Sequence, residues 1–186
     1  MSDSTTLSDN VYLQHAMPLN VQPLTAAPTD SELVSMNEHN EKVLTQLLAM
    51  DSMSTDSAED DAEKNADLIR VEQKLDLLLD LAGIMVEREF ARPDDKNVTL
   101  YAGHLEWLEP GKTEYRPGQW LELHLWLRPD YPRFLRLYVQ LEQQSPGAPA
   151  GQLVAGYYGL NSQVIALLEK IIFRHHRRVI ALSRQN

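Results

Sequence analysis

Between Asn65 and Arg92 the apolar residues Leu68, Val71, Leu75, Leu78, Ala82 and Met85 recur at alternating steps of three and four. Few patterns constrain a chain more, because this spacing is the a/d seam of a coiled coil and commits the stretch to a long helix. Leu79, Leu81 and Val86 fall beside the seam and widen it. One such helix then presents more apolar surface than a two-stranded partner covers. The pattern lasts about three heptads, the lower edge for a coiled coil, so a helix packed on its own domain competes with an oligomerisation helix. The width of the stripe favours oligomerisation.

The other 158 or so positions must supply the rest, and a chain of 186 residues is expected to form one domain, with or without an insertion. With no cysteine there is no disulfide, thiolate metal site or cysteine nucleophile, which suits a reducing compartment. The start Met1-Ser-Asp-Ser-Thr-Thr has neither the basic nor the apolar region of a leader, and nowhere do about 18 apolar residues run unbroken. The expectation is a cytoplasmic protein without membrane insertion. The net charge of -10 is uneven: 20 acids and 7 bases lie up to Asn97, and 7 acids and 10 bases follow. That distribution argues against DNA binding by the first half and leaves a mildly basic second half that can meet an anion.

Taken in order, Val11 to Leu24 alternates as a strand, but Pro18 and Pro23 restrict it to an edge or an interrupted one. Thr29-Asp-Ser-Glu32 is a capping box that opens a helix. On it Leu33, Met36, Asn40, Val43, Leu47 and Met50 step by three and four, so Asn40 reads as a lone polar residue in a seam, fixing register. Residues 51–64 are rich in acids and serine and read as a disordered acidic loop between antiparallel helices, within a helical insertion spanning 29–92. Past Pro93 the period changes to two. Strands are expected over Val98–Leu108, Gln119–Leu127, Arg133–Glu142 and Gln152–Tyr158, joined as a meander or small barrel. A last helix starts near Asn161-Ser162 and has an apolar side that can plug or cover the barrel.

Chemistry-bearing patterns are scarce. No nucleophile elbow, His-Glu-x-x-His or glycine-rich phosphate loop occurs, so no enzyme is expected. Arg174-His-His-Arg-Arg178 is no metal site, since adjacent histidines on a helix point about 100° apart. It reads either as cations opposing the dipole of their own helix end or as a site for an anionic partner. The three tryptophans and seven tyrosines are expected mostly in the core and in cross-strand pairs.

This order of one strand, two helices, a set of strands and a final helix Leu167-Leu-Glu-Lys-Ile-Ile-Phe-Arg-His-His-Arg-Arg178 resembles a PilZ domain, the bacterial cyclic di-GMP receptor module. Its closing helix is similar to the family's leucine-x-x-x-isoleucine-phenylalanine-arginine pattern, and Met17-Pro-Leu-Asn-Val-Gln is similar to its first strand. Two long helices inserted after that strand resemble the atypical, tetrameric PilZ proteins. The resemblance implies an α+β fold: a small antiparallel PilZ-like barrel in one domain over 1–186, with the inserted helical hairpin and a carboxy-terminal helix. It further implies a homotetramer assembled through Leu68, Val71, Leu75, Leu78, Ala82 and Met85.

The family's nucleotide motifs are altered. Its Arg-x-x-x-Arg segment precedes the first strand, whereas no arginine precedes Arg70 here. Its Asp/Asn-x-Ser-x-x-Gly turn falls on Thr99, Tyr101 and His104, and all three positions have changed. Arg88 and Arg92 have the right spacing, but they end the inserted helix, where its dipole accounts for them. The resemblance therefore implies a non-enzymatic oligomeric adaptor in cyclic di-GMP signalling with a protein partner, without cofactor or metal, binding the dinucleotide weakly or not at all. A true cyclic di-GMP receptor using non-standard residues is the alternative.

Overall fold

A computed structural model describes residues 11–53, 71, 75, 78, 79, 82, 93–109, 111, 115–128, 131, 133–143, 147 and 149–183. Six strands, β1 (Leu13–Pro23), β2 (Asp95–Leu100), β3 (His104–Leu108), β4 (Trp120–Leu125), β5 (Leu135–Leu141) and β6 (Gln152–Tyr157), close into an antiparallel barrel in the order β1-β2-β3-β6-β5-β4. Helix α1 (Asp30–Met53) follows β1, and helix α2 (Ser162–Ser183) closes the chain. This is an α+β fold of the PilZ-like kind. A simple meander would place β3 beside β4, whereas β3 pairs with β6.

The period-two stretches do become strands, because alternate side chains fill the barrel. Leu121, Leu123 and Leu125 of β4 meet Val139, Leu137 and Leu135 of β5 in register, and all six are buried. Each buried leucine contributes about 1.5–3 kcal/mol of transfer free energy, so one shifted register would forfeit the whole set.

Two strand expectations are corrected. Val98–Leu108 is not one strand: the chain turns at 101–103, and Tyr101 N donates to His104 O at 3.0 Å. Nor is β1 an edge. Its first half pairs with β2 and its second with β4, and Pro18 sits at the handover. The Pro18 carbonyl accepts from Trp126 N at 3.1 Å, so its missing N–H faces the β4 side just where β4 has ended.

The apolar stripe of α1 also has another use than a seam between copies. Val43, Leu44 and Leu47 join the barrel core together with Val164, Leu168 and Ile172 of α2, so the two helices close the barrel jointly. Asn40 is fully buried, and its amide is bidentate: Nδ2 donates to Arg136 O at 2.7 Å and Oδ1 accepts from Arg136 N at 2.9 Å. The reason lies in β5, which pairs with β6 only over Val139–Leu141 and leaves the backbone of Arg136 without a strand on that side. Asn40 supplies the missing rung.

Both helix starts are capped as the sequence predicts. Thr29 N donates to Glu32 Oε2 at 2.7 Å, and Val164 N donates to Asn161 Oδ1 at 2.8 Å. Asn37 then ties the two starts together, giving Nδ2 to Gly159 O at 2.7 Å and taking Asn161 N at 2.8 Å. Gly159 has a φ of +70°, and a Cβ there would lie 2.5 Å from Leu33 Cδ2, so only glycine lets the loop pass α1. Helix α1 continues through Asp51 to Met53, where the sequence suggested the acidic connection had begun, and residues 54–64 lie outside the described residues.

Replacing Asn40 with leucine leaves a buried N–H and a buried C=O unpaired, each worth about 1–3 kcal/mol. Asn40→Leu is expected to destabilise the fold by roughly 2–4 kcal/mol in urea unfolding, without changing the subunit number. A raised melting temperature would restore the seam reading.

Candidate functional site

The turn joining β2 to β3 carries the three motif positions and brings them into one group. Thr99 lies in β2 opposite Gln14 and Glu106, nearly buried. Tyr101 and His104 flank the turn, and their rings stack with centroids 4.3 Å apart and planes 12° from parallel. His104 Nε2 is 3.8 Å from Glu106 Oε1. The space that a small hydroxyl and a glycine would leave open beside this turn is taken up by the stacked phenol and imidazole.

Other elements hold the stack in place. The hydroxyl of Tyr157 in β6 donates to the Tyr101 carbonyl at 3.2 Å. The Tyr12 ring leans on Tyr101 at 5.9 Å and meets His176 of α2 edge-on at 6.1 Å. A row of rings thus runs from α2 across the start of β1 to the turn, while around Gly103 at its tip there is open space. Sequence reading missed Tyr12, Tyr157 and His176 as members of this group. They lie far apart in the chain, and only barrel closure brings them together.

Of the remaining site candidates, Arg88 and Arg92 lie outside the described residues, as do the seam positions Leu68 and Met85. Val71, Leu75, Leu78 and Ala82 are helical and exposed. For Val71, Leu75 and Leu78 the exposure is 54%, 50% and 62%, and Leu79 beside them reaches 40%, a large apolar surface for one helix.

The basic run serves α1 more than its own helix. Arg174 Nη1 donates to Leu48 O at 3.2 Å, and Arg178 and Arg128 reach Asp51 Oδ1 at 4.0 and 3.4 Å. These cations sit at the carboxy-terminal end of α1, where the helix dipole is negative. Of the two sequence readings, cations at the end of their own helix and cations meeting an anionic partner, neither describes their contacts in the fold, which are with the end of α1 and its Asp51, and their own helix continues to Ser183.

A second polar group lies on the outer face of β4 and β5. Glu122 Oε1 accepts from Arg136 Nε at 2.6 Å and lies 2.9 Å from His124 Nε2, whose ring stacks on Phe134 at 4.3 Å. Burial pushes the Glu122 carboxyl up, but the His124 and Arg136 hydrogen bonds outweigh it and hold the group below the usual carboxylate range. Among the described residues, no three His, Asp or Glu groups gather as a metal site, and no helix is long and apolar enough to cross a membrane.

A closed antiparallel barrel sealed by two helices, with its distinctive side chains on one turn and the adjoining helix, defines a fold of the PilZ kind. The chain belongs to the atypical PilZ domain family: that family's model, described as an atypical PilZ domain and cyclic di-GMP receptor, matches residues 44–185. PilZ domains are signalling receptor domains. Among solved structures the fold is similar to that of a pathogenic protein from Xanthomonas campestris, described as a new tetrameric PilZ domain self-assembled via an unusual helical bundle. The two share 20% identity at a TM-score of 0.69, over 94% of this chain and 92% of the other. No curated protein matches the chain.

The lowered Glu122 value fixes a pH dependence. A carboxyl whose folded value lies below the ordinary 4.5 stabilises the fold fully above that pH, and the contribution is lost as pH falls through the folded value. Glu122→Gln is therefore expected to lower the melting temperature at pH 7 and to make the loss of stability below pH 4.5 shallower than in the wild type. Parallel acid limbs for the two proteins would mean that Glu122 contributes nothing.

Proposed function

We propose that the protein is a non-enzymatic, oligomeric adaptor in bacterial cyclic di-GMP signalling, acting in the cytoplasm, with direct dinucleotide binding weak or absent. The observation that carries this reading is the Tyr101–His104 stack at 4.3 Å, which occupies the turn where the family's serine and glycine leave room. The missing arginine pair supports it as well. Each charge-assisted hydrogen bond contributes about 1.5–3 kcal/mol, so losing two weakens binding by roughly two to four powers of ten. From an ordinary micromolar receptor, an affinity of about 0.1 mM at best remains.

Assembly is the other half of the reading. Val71, Leu75, Leu78 and Leu79 expose apolar surface that a second helix would cover, and the similar Xanthomonas protein is described as tetrameric through a helical bundle. We take this chain to be a homotetramer held by a coiled coil, presenting four barrels to a protein partner. DNA is a poor fit for a chain of net charge -10. A true cyclic di-GMP receptor, favoured by the family's description, is the second reading, with Arg88 and Arg92 supplied by a neighbouring subunit.

Calorimetric titration distinguishes the two. No saturable heat is expected with cyclic di-GMP up to about 100 μM, a range set by the affinity arithmetic above. Saturable micromolar binding that Arg88→Ala or Arg92→Ala abolishes would establish the receptor instead. For assembly, Leu75→Asp with Leu78→Asp is expected to reduce the mass in light scattering while the strand signal in circular dichroism persists. A folded variant of unchanged mass would rule out the seam.

A further inference from the structure

His175 lies in the second half of α2, and among the described residues its ring makes no hydrogen bond through Nδ1. Its Nδ1 is buried without a partner, and its ring lies 5.9 Å from that of His15 in β1, tilted by 35°. His15 Nδ1 is 2.8 Å from Ala16 O, a distance that makes it the donor and leaves Nε2 as the basic nitrogen. We propose that His175, facing His15, is a proton-operated latch: neutral, it lets the second half of α2 pack on β1 and α1, and protonated, it releases it.

The charges around the pair all point the same way. From β1, His15 faces His175. From α2 itself come His176 and Arg178. From α1, Asp51 reaches Arg178, one turn further along α2, and Arg128. A proton on His175 therefore makes a partly buried cation beside Arg178, and among the described residues no acid pairs with it. Burial, followed by His15, Arg178 and His176, holds the imidazole below its ordinary value of 6.5. Because the docked helix lowers that value, the unlatched state takes up the proton first. Docking is at full strength above pH 6.5 and weakens as pH falls through the folded value.

The latch has something to move. One residue on, His176 touches Tyr12, which leans on Tyr101 of the stacked turn. One residue back, Arg174 donates to Leu48 O, and Arg178 reaches Asp51, so the same helix end holds the end of α1. Release would loosen the ring cluster and the end of α1 together. Mild acidification would thereby be felt at the turn and at the end of α1, which precedes the exposed helical residues Val71, Leu75, Leu78 and Leu79 in the chain. This holds whether or not the turn binds a dinucleotide.

Hydrogen exchange of the full-length protein at pH 7.5 and pH 5.5, corrected for intrinsic exchange rates, tests the latch. Amides of α2 beyond Ile172 are expected to lose protection severalfold at the lower pH, while the amides of β4 and β5 keep theirs. His175→Phe is expected to hold its protection at both values. Equal protection in the wild type at both pH values, or the same loss in His175→Phe, would overturn the proposal. Should His175→Phe fail to fold, His15→Gln, which removes the facing imidazole, must lose less protection than the wild type. An undiminished loss in that variant would also overturn the latch.

Discussion

The bidentate bond between the Asn40 amide and the backbone of Arg136 is the contact on which the rest of the structure depends. Strand β5 is paired with β4 over Leu135–Gln140 but meets β6 only over Val139–Leu141, with Tyr158 N donating to Tyr138 O just before, so the barrel would otherwise open at Leu135–Leu137. A helix has no free backbone groups to close such a gap, and a side-chain amide, with one donor face and one acceptor, does it in the geometry of a strand. That contact fixes α1 against the barrel. Val43, Leu44 and Leu47 are then placed over the core, and Asn37 is placed to hold the loop through which α2 begins.

From this follows a division of labour between the helices. The first is part of the domain, buried on the barrel and on α2, although its spacing of three and four is the same as that of the stretch after it. The described helical residues Val71, Leu75, Leu78 and Leu79 instead leave large apolar side chains exposed. Periodicity alone does not separate these uses, because burial against one's own barrel and burial against another copy demand the same stripe. Between them the basic residues of α2 bind the end of α1, which neutralises its dipole and anchors the helix just before the segment leading to 71–82.

Much of the fold was legible because local signals and packing agree. The leucines of β4 alternate over a run too regular to be anything else, and Thr29, Glu32 and Asn161 form the caps that their types and spacing imply. Where the reading failed, tertiary demands overrode local ones. Tyr101-Ala-Gly103 carries little turn signal between two apolar runs, so β2 and β3 looked continuous, although the family resemblance already placed a turn at Thr99–His104. Asn40 looked like a register residue because no sequence pattern reveals that β5 parts from β6. The candidate site was half legible: resemblance found Thr99, Tyr101 and His104, but Tyr12, Tyr157 and His176 join them only through closure of the barrel.

The functional account rests on that ring cluster. An aromatic stack braced by a hydroxyl from β6 and by rings from β1 and α2 is an ordered object, and displacing it to admit a dinucleotide would cost the contacts of three elements at once. On the function proposed above, it offers instead a surface of rings at the rim of the barrel on which a protein partner would dock. The most direct measurement is an amide chemical-shift titration of the isotopically labelled protein with cyclic di-GMP. The account predicts that the resonances of Thr99, Tyr101, Gly103 and His104 stay in place at micromolar ligand. Saturable shifts confined to that turn would contradict it.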